Sequence, residues 1–596
     1  MCGIAGYSGA RDAQGVLMDA LERLEYRGSE SMGLAIVDEG LSVYKKEGRA
    51  SLLRDSLPSI SGSTGIGHTR WAAIGGPSEE NAHPLLSNDG RIALASNGLI
   101  DNHIELRRKL EGEGYEFSSE TDAEVLVHLV DRYMDGDLHR ALLRALQDVK
   151  GSYAVAAVEE GRDRIVLARK ESPLVIGIGV DETFIASDIN AMSSYTTDVI
   201  RLLDGESAIV SQGKVEIFSP EGKPVQREPH SVSRSKEDRG KAGFDHYMIK
   251  EIFDQPGSVR ATLLSHLDSL EESDLLRDVR PRDVRIVACG SSYHAGLVGK
   301  YVIEELAQVP VSVEVGSEFR YSPRTDGNPL VILISQSGET ADTLAACREA
   351  TRRGSRTLAI SNVEGSQLTQ EANFSLLTMA GTEISVAATK TFTAQLTALY
   401  LVALKLAFNL RTLDEIHLRE LKTQFRSLPT IIEQVLERVD RLQPAVEMLL
   451  ESEHAFFIGR GRCYPCMLEG ALKLKEVSYI HAEGYAAGEI KHGPLALLDE
   501  STPLIAACLE GPGYDRMLSN VNEVAARGSP VLVLASDGDE EAGSLGDKVI
   551  YMPRCPPLLA PVPLTVLLQL IAYQVANARG LPVDQPRNLT KSVTVE

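Results

Sequence analysis

The chain has 596 residues, 43% hydrophobic and 24% charged, a balance that excludes wholesale disorder and predicts about four domains or subdomains. Its 84 acidic residues outnumber its 61 basic ones, and the net charge of −23 excludes a general binder of nucleic acid or anionic membrane, leaving room for a local anion pocket. The start, Met-Cys-Gly-Ile-Ala-Gly, has no secretory leader, and the most apolar stretch, Leu558–Tyr573, is broken by Pro561, Pro563 and Gln569, so no bilayer span is expected. Seven cysteines read as thiols of a reducing cytoplasm rather than as a disulfide framework.

Residues 1–220 mix strand-like runs (Gly33–Val37, Arg91–Ala95, Ser152–Ala157, Ile165–Ala168) with helical stretches (Gln14–Leu24, Asn102–Glu111, Ala123–Tyr133). That order predicts α+β layers. Residues 221–243 have linker composition, with Ser231–Lys241 polar and charged. Beyond them, apolar runs (Val284–Ala288, Val311–Val315, Leu330–Ile334, Thr357–Ile360, Phe374–Thr378) alternate with helical stretches, which predicts parallel strands with crossover helices. The pattern repeats about 170 residues on: Arg285-Ile-Val-Ala-Cys-Gly-Ser-Ser is echoed at Ala455-Phe-Phe-Ile-Gly-Arg-Gly-Arg, and Leu330-Val-Ile-Leu-Ile-Ser at Pro503-Leu-Ile-Ala-Ala-Cys. Two doubly wound subdomains, 244–412 and 451–580, are therefore expected, with a helical connector over 413–450 and a tail over 581–596.

Four groups of residues carry candidate chemistry. Removal of the initiator methionine leaves Cys2 with both a thiol and an α-amine, a nucleophile and a base on one residue. A bare Met-Cys start more often marks a buried cysteine, but Arg70 suits a carboxylate, Asn97 and Gly98 suit an oxyanion, and Asp122 suits an ammonium. Taken singly, these are a surface ion pair, a turn and part of a helix cap. Ser335-Gln-Ser-Gly-Glu-Thr follows a strand and opens a helix near Glu339. The hydroxyls of Ser335, Ser337 and Thr340, the Gln336 amide, and Ser291 and Ser292 at the preceding strand end form a phosphate cradle, against the alternative that Ser337 is an N-cap. The absence of GxxxxGK[ST] makes a nucleoside triphosphate a poor fit. Glu469, Lys473 and Glu476 fall within about 60° on one helix, as a functional cluster or as an ordinary Glu–Lys surface pair. Cys463-Tyr-Pro-Cys466 is a lone CxxC, too little for a metal or redox site.

The motifs Leu24-Glu-Tyr-Arg-Gly, His68-Thr-Arg-Trp-Ala, His246-Tyr-Met-Ile-Lys-Glu-Ile, Ser335-Gln-Ser-Gly-Glu-Thr, Leu468-Glu-Gly-Ala-Leu-Lys-Leu-Lys-Glu and the tail from Asp584 resemble the class II glutamine amidotransferases, and among them the isomerising glutamine–fructose-6-phosphate aminotransferases, over nearly the whole chain. The resemblance implies an Ntn-type four-layer αββα glutaminase domain followed by two sugar-isomerase (SIS) subdomains with doubly wound parallel sheets. It implies conversion of fructose 6-phosphate and glutamine to glucosamine 6-phosphate and glutamate, at the start of hexosamine synthesis, with no cofactor or metal, in a cytoplasmic homodimer. It makes Cys2 the nucleophile, Asn97 and Gly98 the oxyanion hole, and Arg70, His83 and Asp122 the glutamine ligands. It gives Trp71 the gate of an ammonia passage and adds Val386 to the sugar-phosphate set. Glu476 moves the proton between C1 and C2, Lys473 and Glu469 assist, His492 of the partner subunit opens the ring, and Lys591 forms a Schiff base.

The sequence departs from the commoner pattern at Arg27-Gly-Ser-Glu-Ser, at Ala73 and Ile74, at Ser96 and at Ala388. Loss of polar groups at Ala73 and Ile74 predicts weaker glutamine binding. Two other readings are an amidotransferase or deaminase for another phosphosugar, and a catalytically silent sugar-phosphate sensor. Retention of Glu476, His492 and Lys591 together speaks against the sensor.

Overall fold

A computed structural model describes residues 2–38, 40–231, 240–322 and 329–593. Residues 232–239 of the expected linker and 594–596 of the expected tail lie outside the described residues. The chain divides into two compact units, Met1–Lys236 with Ser592–Glu596, and Glu237–Lys591.

The first unit holds an eight-stranded and a seven-stranded sheet. Alternation along single strands dictates how they stack, because successive side chains of a strand point to opposite faces. On strand Gly151–Glu159, Ala154, Ala156 and Val158 join Ile4, Ala35, Ile66, Ala93 and Ala95 in a core between the sheets. Val155 and Ala157 of the same strand pack with Leu126, Leu129 and Leu142 of helices Glu124–Arg132 and Leu138–Asp148. Helix Ala13–Leu24 covers the other sheet with Leu17 and Leu21 against Met32, Leu34 and Phe184. The result is four layers, helix–sheet–sheet–helix. Two short strands inside the expected linker, Pro224–Val225 and His230–Ser231, extend these sheets, so the first unit runs past the expected boundary at 220.

The second unit holds two five-stranded sheets, parallel throughout. Their spatial orders are Val311–Val315, Val284–Ala288, Leu330–Ile334, Arg356–Ser361, Phe374–Leu377, and His481–Ala486, His454–Gly459, Leu504–Cys508, Val531–Ser536, Lys548–Met552. In chain order each reads 2-1-3-4-5, so each has a switch point between its first and third strands, where ligands of doubly wound sheets bind. The helices repeat as well: Gly290–Ala307 packs on Lys390–Leu410, and Cys463–Ser478 on Pro561–Ala578. Helices Glu415–Arg426, Leu428–Leu436 and Gln443–Leu449 occupy the expected connector.

The expectation that no segment matches a bilayer span is corrected. Helices Lys390–Leu410 and Pro561–Ala578 are long and apolar enough by length and composition. Both are mostly buried inside the second unit, which accounts for their apolarity. All seven cysteines carry free thiols.

Candidate active sites

In the first unit Cys2 precedes strand Gly3–Ser8, which runs antiparallel to Thr64–Arg70 with Gly3 opposite Thr69, so Cys2 comes to the end of the strand that carries Arg70. The Cys2 thiol lies 3.6 Å from the Trp71 carbonyl, and the Arg27 Nε donates to the Cys2 carbonyl at 3.1 Å. Arg70 is buried, and burial works against its charge while Cys2 and the carboxylates of Glu30, Asp122 and Glu120 support it. It is no surface ion pair. Its guanidinium donates to the carbonyls of Ile74 (2.6 Å), Gly75 (2.8 Å) and Gly76 (3.0 Å), which folds the loop after Trp71 over it. Glu30, from the divergent Arg27-Gly-Ser-Glu-Ser segment, accepts from Ala72 N at 2.5 Å and fixes the same loop. Trp71 itself is half-buried.

Asn97 and Gly98 lie within strand Ile92–Ile100 and form no turn. Asn97 Nδ2 donates to Ser187 Oγ at 2.8 Å, and Ser187 Oγ also accepts from Ile4 N at 2.9 Å, tying the amide to the strand after Cys2. His68 Nε2 faces two acceptors, Asn97 Oδ1 at 3.0 Å and the Ser96 carbonyl at 3.1 Å, so it carries the proton. Burial pushes His68 down to about 3, which keeps the ring neutral and fixes which end of the Asn97 amide donates. Gly98 sits at φ 109°, and a Cβ there would come within 2.2 Å of the Ser152 carbonyl, so this strand position demands glycine. His83, expected at glutamine, stacks on His68 at 4.4 Å and accepts from Ser96 N at 3.3 Å, so its Nδ1 is used inside the protein. Burial holds it well below the usual histidine range. Ser96 Oγ donates to the Asn97 carbonyl at 3.3 Å. Asp122 accepts from Ile100 N at 2.8 Å and caps no helix; burial raises its carboxyl.

In the second unit the first switch point is lined by Cys289-Gly-Ser-Ser after Ala288 and by Ser335–Thr340 after Ile334. The helix begins at Ala341, later than expected, with Thr340 as its N-cap and no side-chain capping bond. Ser337 is therefore not the N-cap; its Oγ accepts from Glu339 N at 3.1 Å. Ser335 Oγ pairs with Thr340 Oγ1 at 2.9 Å and accepts from Gly338 N at 3.1 Å. Gly338 has φ 66°, and a Cβ would meet Ser366 Oγ at 2.1 Å, so the turn can tighten only around glycine. The Gln336 backbone carbonyl accepts from Asn362 N at 3.0 Å, and the residue is half-buried. Ser292 stands half-buried in the first turn of Gly290–Ala307. Ser291, expected in the cradle, donates its one proton to Glu469 Oε1 at 2.8 Å, so as placed it is no donor to a phosphate.

Helix Cys463–Ser478 brings Glu469, Lys473 and Glu476 together: Lys473 Nζ pairs with Glu476 and lies 3.5 Å from Glu469. The Glu469 and Lys473 side chains are 0% and 1% exposed, which rules out an ordinary surface pair, whereas Glu476 is 20% exposed. His294 Nδ1 adds a contact to Glu469 at 2.8 Å. Lys591 Nζ pairs with the buried Glu383, whose carboxyl that amine and the Thr389 and Thr391 donors hold low. Val386 N donates to the Asp584 carbonyl at 3.0 Å, tying its loop to the tail. Ala388 is half-buried in the same loop. His492 is exposed at the end of the short turn Glu489–His492. At the second sheet's switch point Arg460 donates to Asn520 Oδ1 at 2.8 Å. Cys463 and Cys466 are thiols pushed up by burial, Cys463 to about 11, and among the described residues no three His, Cys, Asp or Glu side chains group as metal ligands.

Matches to known families follow this division. A glutamine amidotransferase domain model matches residues 68–194, and a SIS domain model matches 279–405 and again 448–579. The glutamine–fructose-6-phosphate aminotransferase [isomerizing] of Thermus thermophilus is 47% identical over the full length of both chains, and that of Methanosarcina acetivorans 46%. The chain belongs to the isomerising glutamine–fructose-6-phosphate aminotransferase family. A solved structure, the C-terminal domain of glucosamine-fructose-6-phosphate aminotransferase from Francisella tularensis, is 39% identical, covers 59% of this chain and all of its own, and superposes with a TM-score of 0.56.

Sequence reasoning missed Glu383, His294, Ser187 and the part played by His68. Glu383 had a signal: it is the only acidic residue between Glu371 and Asp414. A lone carboxylate in a long stretch without another acid needs a partner when buried.

Proposed function

We propose that this chain transfers the amide nitrogen of glutamine to fructose 6-phosphate and isomerises the product to glucosamine 6-phosphate, releasing glutamate. The observation that carries this reading is the buried Lys591–Glu383 pair in the unit that also holds the Glu469–Lys473–Glu476 row. A binder has no use for an amine, a base and a second cation converging in one unit.

The Cys2 thiol attacks the glutamine amide, with its own α-amine, freed by loss of Met1, taking the proton. The second N–H of Asn97 Nδ2 and the Gly98 N–H stabilise the oxyanion, with His68 and Ser187 holding the Asn97 amide in its donating orientation. Arg70 takes the substrate carboxylate and Asp122 its ammonium; His83 supports them through His68 and Ser96. Trp71 gates the release of ammonia.

The loop Ser335–Thr340, with Ser292 and Val386, holds the sugar phosphate, and Ser291 serves through Glu469. Lys591 Nζ adds to the C2 carbonyl and expels water, and ammonia then displaces the lysine. Glu476 carries the proton from C1 to C2, and Lys473 balances the charge of the enediol-like intermediate. Ring opening uses His492 of the partner subunit in a homodimer, in keeping with its exposure in the single chain.

The test is a mass-spectrometric product assay with fructose 6-phosphate, amide-¹⁵N glutamine and excess unlabelled ammonium. Labelled glucosamine 6-phosphate is expected. Glutamate without amino sugar sends the assignment to another phosphosugar, and absence of glutamate removes it.

A further inference from the structure

Lys591 lies in a tail with no regular secondary structure, yet its amine meets one buried carboxylate. Something upstream must hold that tail. Helix Tyr247–Phe253 does so at both ends. At its start, Asp584 accepts from Met248 N through Oδ1 at 2.8 Å and from Tyr247 N through Oδ2 at 2.9 Å. Toward its other end, Glu251 Oε1 accepts from Ile384 N and, at 3.3 Å, from Ser385 N. The Asp584 carbonyl accepts from Val386 N at 3.0 Å, the next residue of the same loop. The helix, the tail and the loop therefore form one closed ring of hydrogen bonds. Glu383, the partner of Lys591, sits at the edge of that ring, immediately before Ile384.

Neither ring carboxylate contacts Lys591, and none of the reactions above uses either. Glu251 is 1% exposed, and burial together with the Glu383 charge pushes its carboxyl up to about 8, while Lys591 and Lys390 pull the other way. A buried carboxyl that accepts two successive backbone N–H groups fixes the position of the loop that donates them. We infer that Glu251 and Asp584 are positioning residues for Lys591: by clamping loop 383–386 to the tail from the two ends of one short helix, they set where the lysine amine meets the keto sugar.

This inference rests on the Schiff-base reading of Lys591, and the experiment separates the two. Full-length wild type, E251A, E251Q, D584A and D584N are incubated with fructose 6-phosphate and borohydride, and the adduct on Lys591 is quantified by peptide mass spectrometry. Misplacement of an attacking group by about 1 Å costs on the order of 10²-fold, so E251A and D584A are expected to lose about 10²-fold in trapping rate and in kcat of amino-sugar formation. E251Q keeps an acceptor oxygen of the same shape and is expected to stay within about tenfold of wild type, because one altered neutral hydrogen bond is a small loss. D584N, which turns one acceptor into a donor facing an N–H, falls between. Glutaminase turnover, carried by the other unit, stays at the wild-type level, and the circular dichroism and thermal unfolding of each variant report folding of the mutated unit. Alanine variants trapped at the wild-type rate overturn the inference, as does E251Q failing as badly as E251A. A wild type that gives no adduct on Lys591 overturns the reading beneath it.

Discussion

The two sites solve the problem of charge in opposite ways. Around Cys2 the placed groups are mostly neutral dipoles: the Asn97 amide, the Gly98 backbone, a His68 held neutral by burial, and carbonyls wrapped around one arginine. Around Lys591 and Lys473 the groups are ions in buried pairs, Lys591 with Glu383 and Lys473 with Glu469 and Glu476. The chemistry explains the contrast. Acyl transfer makes a transient oxyanion, which fixed dipoles stabilise without moving. Isomerisation moves protons on and off carbon, which requires groups that exchange charge.

Four measurements break or sharpen that contrast. The largest effect falls on the ionic site: E476Q removes the proposed proton carrier and is expected to lower glucosamine 6-phosphate formation by about 10²–10⁴-fold, with glutaminase activity intact. Loss of both activities would mean that the variant disturbs the whole chain. At the neutral site, N97A removes one proposed oxyanion donor and is expected to cost about 10²–10³-fold in glutaminase kcat with little change in glutamine KM. An effect confined to KM would turn Asn97 into a binding residue.

Next come the cradle hydroxyls. Each donor to a charged group contributes about 1.5–3 kcal/mol. Steady-state kinetics of S337A and T340A should therefore show the fructose 6-phosphate KM raised by about 10- to 100-fold each, more than kcat falls. Unchanged KM values would move the phosphate elsewhere. The smallest effect is on stability. Unfolded histidine takes up a proton near pH 6.5, whereas His68 in the fold refuses one until about 3. Its contribution is therefore present above pH 6.5 and lost as pH falls toward 3, by at most about 1.4 kcal/mol per pH unit. Urea unfolding followed by Trp71, the single tryptophan, should show that slope between pH 6.5 and 5.5, and H68Q should reduce it, with His83 retaining its own share. A slope unaffected by H68Q would mean that His68 is not the residue titrating.

What the sequence showed depended on how local the signal was. A strand such as Leu330–Ile334 read directly, because a strand buried on both faces is a continuous apolar run. The hydroxyl-rich loop and the Glu469–Lys473–Glu476 row also read locally, since each lies within a few residues. Pro224–Val225 and His230–Ser231 were lost in a linker, because two-residue edge strands carry no alternation. The ring and the Lys591–Glu383 pair beside it were invisible for a different reason: their bonds join residues separated by 133, 208 and 337 positions, and no window of sequence contains both ends. Asn97-Gly98 misled in the other direction. Its composition reads as a turn, and only strand pairing with Tyr153 and Ala154 reveals the glycine as a requirement of close approach.

The three carbonyls on Arg70 have a consequence for affinity. If Arg70 takes the glutamine carboxylate as proposed, the loop that carries Ile74, Gly75 and Gly76 is an internal competitor for its guanidinium. On the proposed reading of Arg70, where the carboxylate needs those donors, the apparent glutamine affinity would be the intrinsic one scaled by the fraction of molecules in which that competitor has let go. Glu30, through its hold on Ala72, would then help set how much substrate the enzyme needs before it begins to spend it.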